Sequence, residues 1–223
     1  MATDEKHVEY DGVLARVRTP QTPTGVTFIA PGALVQMDAP LIQAIQNACE
    51  EKGRIVVVAD LGQTPLIVDD PSNVHGHFEN NFRKVVDGYL EDYNDIGGQF
   101  ELIGHSMGGA AALCVSDDFL LSSITVLDPM PVASEMLQGI NCPVNVIISD
   151  VRSYRNPGKR MFNELSDYSD QHALHEVKTS KDMQSGHVFE GQEDEVAQII
   201  REHSVPEYKP NDPDTSFDLG GPV

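Results

Sequence analysis

The chain has 223 residues, enough for one domain with a sizeable core. With 15 Lys and Arg against 35 Asp and Glu, its formal charge of −20 argues against nucleic acid and anionic membrane surfaces as partners. No apolar run approaches the length of a membrane span, and the polar opening Met1-Ala2-Thr3-Asp4-Glu5-Lys6 lacks the basic and apolar regions of a secretion signal. Three scattered cysteines, Cys49, Cys114 and Cys142, suit buried thiols in a reducing, cytoplasmic compartment better than a disulfide framework.

His7 to Arg18 reads as a hairpin turning at Asp11-Gly12. Val26-Thr27-Phe28-Ile29-Ala30 is a short apolar strand, followed by a Pro31–Met37 loop. Pro40 opens a helix in which Leu41, Ile42, Ile45, Ala48 and Cys49 recur at helical spacing, and Gly53 ends it. The β-branched run Arg54 to Asp60 predicts a strand covered on both faces. After a loop from Leu61 to Val74, Phe82, Val85, Val86, Tyr89, Leu90 and Tyr93 share one helical face. Gly97-Gly98 leads into a strand from Phe100. Further strands are predicted at Ile124–Leu127, Val144–Ile148 and Leu174–Val177, and helices at about Lys159–Tyr168 and around Val196, Ile199 and Ile200. From Ser204 the chain is a proline- and aspartate-rich tail without periodicity, so residues 1–203 are read as the single domain and 204–223 as the tail. A hairpin followed by alternating strands and helices predicts an α/β fold with a mostly parallel sheet.

The segment around Ser106 is the most informative. Phe100-Glu101-Leu102-Ile103 is an apolar strand, Gly104-His105-Ser106-Met107-Gly108 a tight turn, and Gly109-Ala110-Ala111-Ala112-Leu113 the start of a helix. Gly-x-Ser-x-Gly between strand and helix puts a serine at a strained corner with its hydroxyl projecting from the sheet edge. This resembles the nucleophile elbow of the α/β-hydrolase superfamily. The resemblance implies that fold, with a serine nucleophile, an acid and a histidine base in that chain order, and no cofactor.

On that pattern the base is His187, in Gln184-Ser185-Gly186-His187 between the last strand and the terminal helix. Two aspartates follow strands at the same rim. Asp150, after Val146-Ile147-Ile148-Ser149, is preferred as the acid because the superfamily most often carries it there; Asp128, one strand earlier, is the alternative. The resemblance also implies an oxyanion hole from the Met107 and Ala33 amides, although Pro31 stands where the superfamily's loop has histidine. Leu34, Met130 and Val188, with Met107, are the expected apolar lining. The interval between the strands near Leu127 and Val144 is too short for a helical cap, which implies an open site.

The expected activity is therefore hydrolysis of a small-molecule or lipid-like acyl ester. Thioester or lactone cleavage and perhydrolysis use the same groups, and a non-catalytic ligand sensor is the contrasting reading. His75-Gly76-His77 suggests a metal pair, but two histidines do not complete a site, so no metal is expected.

Overall fold

A computed structural model describes residues 3–33, 35–61, 74–93, 100–168, 171–179 and 182–203, without the side chains of residues 74, 75 and 118. The expected tail, Leu34, Gly97-Gly98 and most of the loop after Leu61 lie outside the described residues.

The chain opens with the hairpin β1 (Thr3–Tyr10) and β2 (Val13–Pro20), turning at Asp11 and Gly12 with φ of 46° and 82°. There follow β3 (Gly25–Ala30), α1 (Pro40–Glu51), β4 (Arg54–Ala59), α2 (Val74–Asp92), β5 (Phe100–His105) and α3 (Met107–Val115). A 3-10 turn, Ser116–Asp118, leads to β6 (Leu121–Leu127), α4 (Ser134–Gln138), β7 (Val144–Ser149), α5 (Arg152–Ser166), β8 (Ala173–Val177), α6 (Met183–His187) and α7 (Glu193–His203).

The eight strands form one sheet in the order β1-β2-β4-β3-β5-β6-β7-β8. β2 is antiparallel to both β1 and β4, and every pairing from β4 to β8 is parallel. The run in β4 shows why its residues are almost uninterruptedly apolar. Val57 joins a core shared with α2, α3, α4 and α5, whereas Val56 and Val58 point into a second core shared with α1 and α7. Each such fully buried side chain contributes about 1.5–3 kcal/mol of transfer free energy. Charged Asp4, Glu5 and Lys6 line the free edge of β1, which discourages further strand pairing.

Two elements differ from the sequence expectation. α5 begins at Arg152 rather than near Lys159, carrying Pro157 inside it. The proline sits in the second turn, where only one hydrogen bond, to the Ser153 carbonyl, is forgone. At the next position a Cβ on Gly158 would lie 2.4 Å from Ile148, so the glycine lets α5 pack directly on β7. The expected loop at Gln184–His187 is the short helix α6, N-capped by Asp182, whose carboxylate accepts the Ser185 amide at 2.8 Å. Between β6 and β7 only α4 intervenes, and no cap domain is inserted among the described residues.

Candidate active site

At the end of β5 the chain reverses within one residue. Ser106 has φ 55° and ψ −118°, a backbone state that costs of order 1–3 kcal/mol outside glycine. Surrounding structure enforces it: the Ser106 amide donates to Leu127 at 2.8 Å, and its carbonyl accepts from Ala110 and Met130 at 3.2 and 3.1 Å. The two glycines of the motif are required by close approach. A Cβ on Gly104 would sit 2.3 Å from the Gly108 carbonyl oxygen, and one on Gly108 would sit 2.0 Å from that of Ala30. The elbow therefore wedges between β5 and the end of β3. Met107 opens α3, whose first-turn amides have no partner within the helix, and is itself nearly buried.

The structure brings three of the sequence candidates together. His187 Nε2 lies 2.9 Å from Ser106 Oγ, and Nδ1 lies 3.3 Å from Asp128 Oδ2. With Nδ1–H directed to the carboxylate, Nε2 is free to accept the serine hydroxyl. Their exposures are graded: the Asp128 side chain is fully buried, that of His187 is 16% exposed, and Ser106 is 8% exposed. His187 ends α6 and is anchored by Phe189, which is fully buried in the α1–α7 core with φ 54°.

Asp150, the preferred acid of the sequence reading, is not part of this cluster. Its Oδ1 accepts the amide and the hydroxyl of Thr179, each at 3.0 Å, and the amide bond holds the carboxyl below its ordinary range. It is exposed and caps the turn after β8 instead. The position opposite His187 belongs to Asp128, because β6 adjoins the elbow strand whereas β7 is one strand further out.

Three residues not singled out from sequence support the cluster. Ser149 donates its amide to Asp128 Oδ1 at 2.8 Å and its hydroxyl to Oδ2 at 2.6 Å. His105 donates from Nε2 to the His187 carbonyl at 2.8 Å. Burial pushes the His105 imidazole down to about 4, with the neighbouring His187 as a second cause, so it is neutral at pH 7. Tyr154, on α5, stacks on the His187 ring. Only His105, lying within the motif, carried a local signal.

Ala33 is half-buried in a loop held against the elbow, since a Cβ on its neighbour Gly32 would lie 2.9 Å from Ser106 Cβ. Met130 follows the strand end beside the elbow and packs on the larger core. Val188 lines a cleft of about 480 Å³ with Val35, Ala39, Pro40 and Leu41. Leu34 lies outside the described residues.

No protein-family model matches the sequence, and no curated protein matches it. Solved structures do match. A dienelactone hydrolase from Anabaena variabilis is 18% identical with a TM-score of 0.73, over 90% of this chain and 95% of that one. Est1E from Butyrivibrio proteoclasticus is 14% identical with a TM-score of 0.67, over 89% and 96%. An alpha-beta serine hydrolase homologue from Coxiella burnetii is 14% identical with a TM-score of 0.69, over 92% and 99%. The chain has the α/β-hydrolase fold. In the order of that fold, serine, aspartate and histidine follow β5, β6 and β8.

Other reactive groups in this α/β-hydrolase fold are placed differently. Burial raises the thiols of Cys49, Cys114 and Cys142, the last two to about 11, which keeps all three protonated. His77 pairs with Asn81 at 2.8 Å, and the His75 side chain lies outside the described residues. Among the described residues no group of three His, Cys, Asp or Glu is arranged to hold a metal ion, and no helix is long and apolar enough to cross a membrane.

Proposed function

We propose that this protein is a serine hydrolase that cleaves a carboxylic ester by acyl transfer. The observation that carries the reading is the 2.9 Å approach of His187 Nε2 to the hydroxyl of a strained serine, with a buried carboxylate on the other ring nitrogen. A serine hydroxyl is a weak nucleophile until a base accepts its proton. Ser106 Oγ attacks the ester carbonyl as its proton passes to His187 Nε2. Asp128 holds the ring and balances the imidazolium. The tetrahedral oxyanion is bound by the Met107 and Ala33 amides, each such donor being worth about 3–4 kcal/mol in comparable sites. His187 then returns the proton to the leaving alkoxide. Water, deprotonated by the same ring, attacks the acyl-serine; collapse releases the acid as His187 returns the proton to Ser106 Oγ.

A lactone is the second reading, because one structural neighbour is described as a dienelactone hydrolase and an internal ester uses the same steps. A thioester differs only in its leaving group. The site is uncapped among the described residues, which suits substrates carrying a bulky acyl group. The three unpaired cysteines suit a reducing compartment.

The test is labelling with a fluorophosphonate probe, together with turnover of p-nitrophenyl esters of increasing chain length, a thioester and a lactone. Wild type is expected to label, and Ser106→Ala and His187→Ala to lose labelling and at least four orders of magnitude in kcat, on the order found for other serine nucleophiles. Full activity in Ser106→Ala would sink the proposal. A folded wild type that neither labels nor turns over any of these substrates would favour a ligand-binding role instead.

A further inference from the structure

The catalytic-site imidazole has more than two neighbours. Tyr154 lies almost parallel to it, with ring centroids 3.7 Å apart and planes inclined by only 9°. The contact is built by backbone rather than by chance of a surface rotamer. α5 starts at Arg152 just past the end of β7, and the Tyr154 amide donates to Val151 at 3.0 Å in its first turn. Four residues on, the missing side chain of Gly158 brings the helix down onto Ile148. Tyr154 is thereby held over the strand-end rim, where it is half-buried. Among the described residues its hydroxyl makes no hydrogen bond, so what it presents to His187 is its π face.

That face meets a need the rest of the site leaves open. The His187–Asp128 contact, at 3.3 Å, fixes one ring nitrogen and leaves the tilt of the ring plane open. The hydrogen bond from His105 at 2.8 Å fixes the backbone carbonyl of His187 and says nothing of its side-chain torsion. Rotation of the imidazole about Cβ–Cγ would swing Nε2 away from Ser106 and drive the ring edge into the Tyr154 ring. A flat aromatic surface at van der Waals distance blocks that rotation. It also lies against the ring that becomes positively charged on taking the serine proton, and an aromatic face attracts a cation.

We propose that Tyr154 is a positioning residue for the base: its aromatic face holds the His187 ring in the plane that reaches both Ser106 and Asp128, and favours the imidazolium formed during acyl transfer. This rests on the serine-hydrolase reading above.

The discriminating experiment compares Tyr154→Phe, Tyr154→Trp and Tyr154→Leu. Leucine fills similar space without a π face. For each, kcat and KM on the best ester and the rate of fluorophosphonate inactivation are measured beside a thermal melt. Tyr154→Phe and Tyr154→Trp are expected to stay within about threefold of wild type. Tyr154→Leu is expected to lose about tenfold in kcat and in inactivation rate, with KM unchanged, a loss between those of an exposed and a fully desolvated cation–π contact, as suits a half-buried ring. Three outcomes overturn the proposal: Tyr154→Leu at wild-type kcat, a loss confined to KM, which would mark a substrate contact, or an equal kcat loss in a folded Tyr154→Phe, which would assign the role to the hydroxyl. If Tyr154→Leu fails to fold, Tyr154→Met takes its place: it also lacks a π face and is expected to show the same kcat loss, and a folded Tyr154→Met at wild-type kcat overturns the proposal. Ser106→Ala separates the two readings. Should it retain turnover, the serine mechanism fails; should it abolish turnover while Tyr154→Leu is unaffected, only the positioning role fails.

Discussion

Two aspartates stand at neighbouring strand ends on the same rim, and the contrast between them explains how the site is built. Asp128 follows β6, is fully buried and has φ 39°, a left-handed state that aspartate tolerates better than most residues. Its amide is tied to Ile147, and its carboxylate collects two bonds from Ser149 and one from His187. Asp150 follows β7, is exposed, and spends its carboxylate on Thr179. Both satisfy the requirement of an acid after a strand. Only one is adjacent to the elbow: β5 pairs with β6, and neighbouring strands lie about 4.8 Å apart, so Asp150 begins a full strand further from Ser106. The sequence offers both and prefers Asp150; sheet order puts Asp128 beside the elbow instead.

The largest effect expected from this contrast is on turnover. Asp128→Asn keeps the shape but replaces one accepting oxygen by a donating NH2 group and removes the charge that fixes the ring tautomer, and is expected to lower kcat by about 10³–10⁴. Asp150→Asn is expected to stay within about twofold, since its partners lie on the far side of β7 from the serine. Steady-state kinetics on one ester decides. If the two variants exchange behaviours, the acid is Asp150 and the observed 3.3 Å contact is incidental.

The comparison of buried with exposed groups extends to pH. The His105 imidazole is pushed from 6.5 down to about 4 by burial. In the unfolded chain it takes up a proton below about 6.5. The native state therefore loses stability as pH falls from about 6.5 towards 4, by roughly 3 kcal/mol for a shift of this size. Above about pH 6.5 neither state is protonated and the contribution vanishes. His172 and His175 are lowered in the same direction by burial and add to the slope. Urea unfolding at pH 7 and pH 4.5 measures it. His105→Gln keeps a donor for the His187 carbonyl but cannot titrate, so it is expected to flatten part of that slope. An unchanged slope would mean that the imidazole is hydrated in solution.

Much of the fold was legible because its signals are local. The Asp11-Gly12 turn, the β-branched run of β4, the helical spacing of α1 and the Gly-x-Ser-x-Gly corner each declare themselves within a few residues. Ser106 and His187, nominated from the motif and its chain order, lie within hydrogen-bonding distance. What escaped depends on packing. Pro157-Gly158 reads as a break, yet it lies inside α5, since the proline forgoes one bond and the glycine permits contact with Ile148. The helix expected from sequence therefore starts near Lys159, which leaves Tyr154 outside it. α6 is too short for periodicity to register. The choice between Asp128 and Asp150 turns on sheet order, which places β6 beside β5 and has no signature in either strand's own sequence; nor has the bond from Ser149 that reaches across from β7.

Ser149 supplies the smallest and sharpest test. It immediately precedes the exposed aspartate, yet its amide and hydroxyl both serve the buried one. Ser149→Ala removes the 2.6 Å hydroxyl bond and leaves the amide bond in place. A hydrogen bond to a charged acceptor is worth about 1.5–3 kcal/mol, and part of this is recovered because the carboxylate can then lean fully on His187. A fall in kcat of about fivefold is expected. The informative measurement is a double-mutant cycle. If Ser149 acts through Asp128, adding Ser149→Ala to Asp128→Asn costs almost nothing further, because groups that act as a unit are not additive. Added to Asp150→Asn, the same change should cost its full fivefold, since the two residues share no partner despite being adjacent in the chain. The reverse pattern would mean that the hydroxyl matters for the shape of the β7 terminus rather than for the carboxylate it touches.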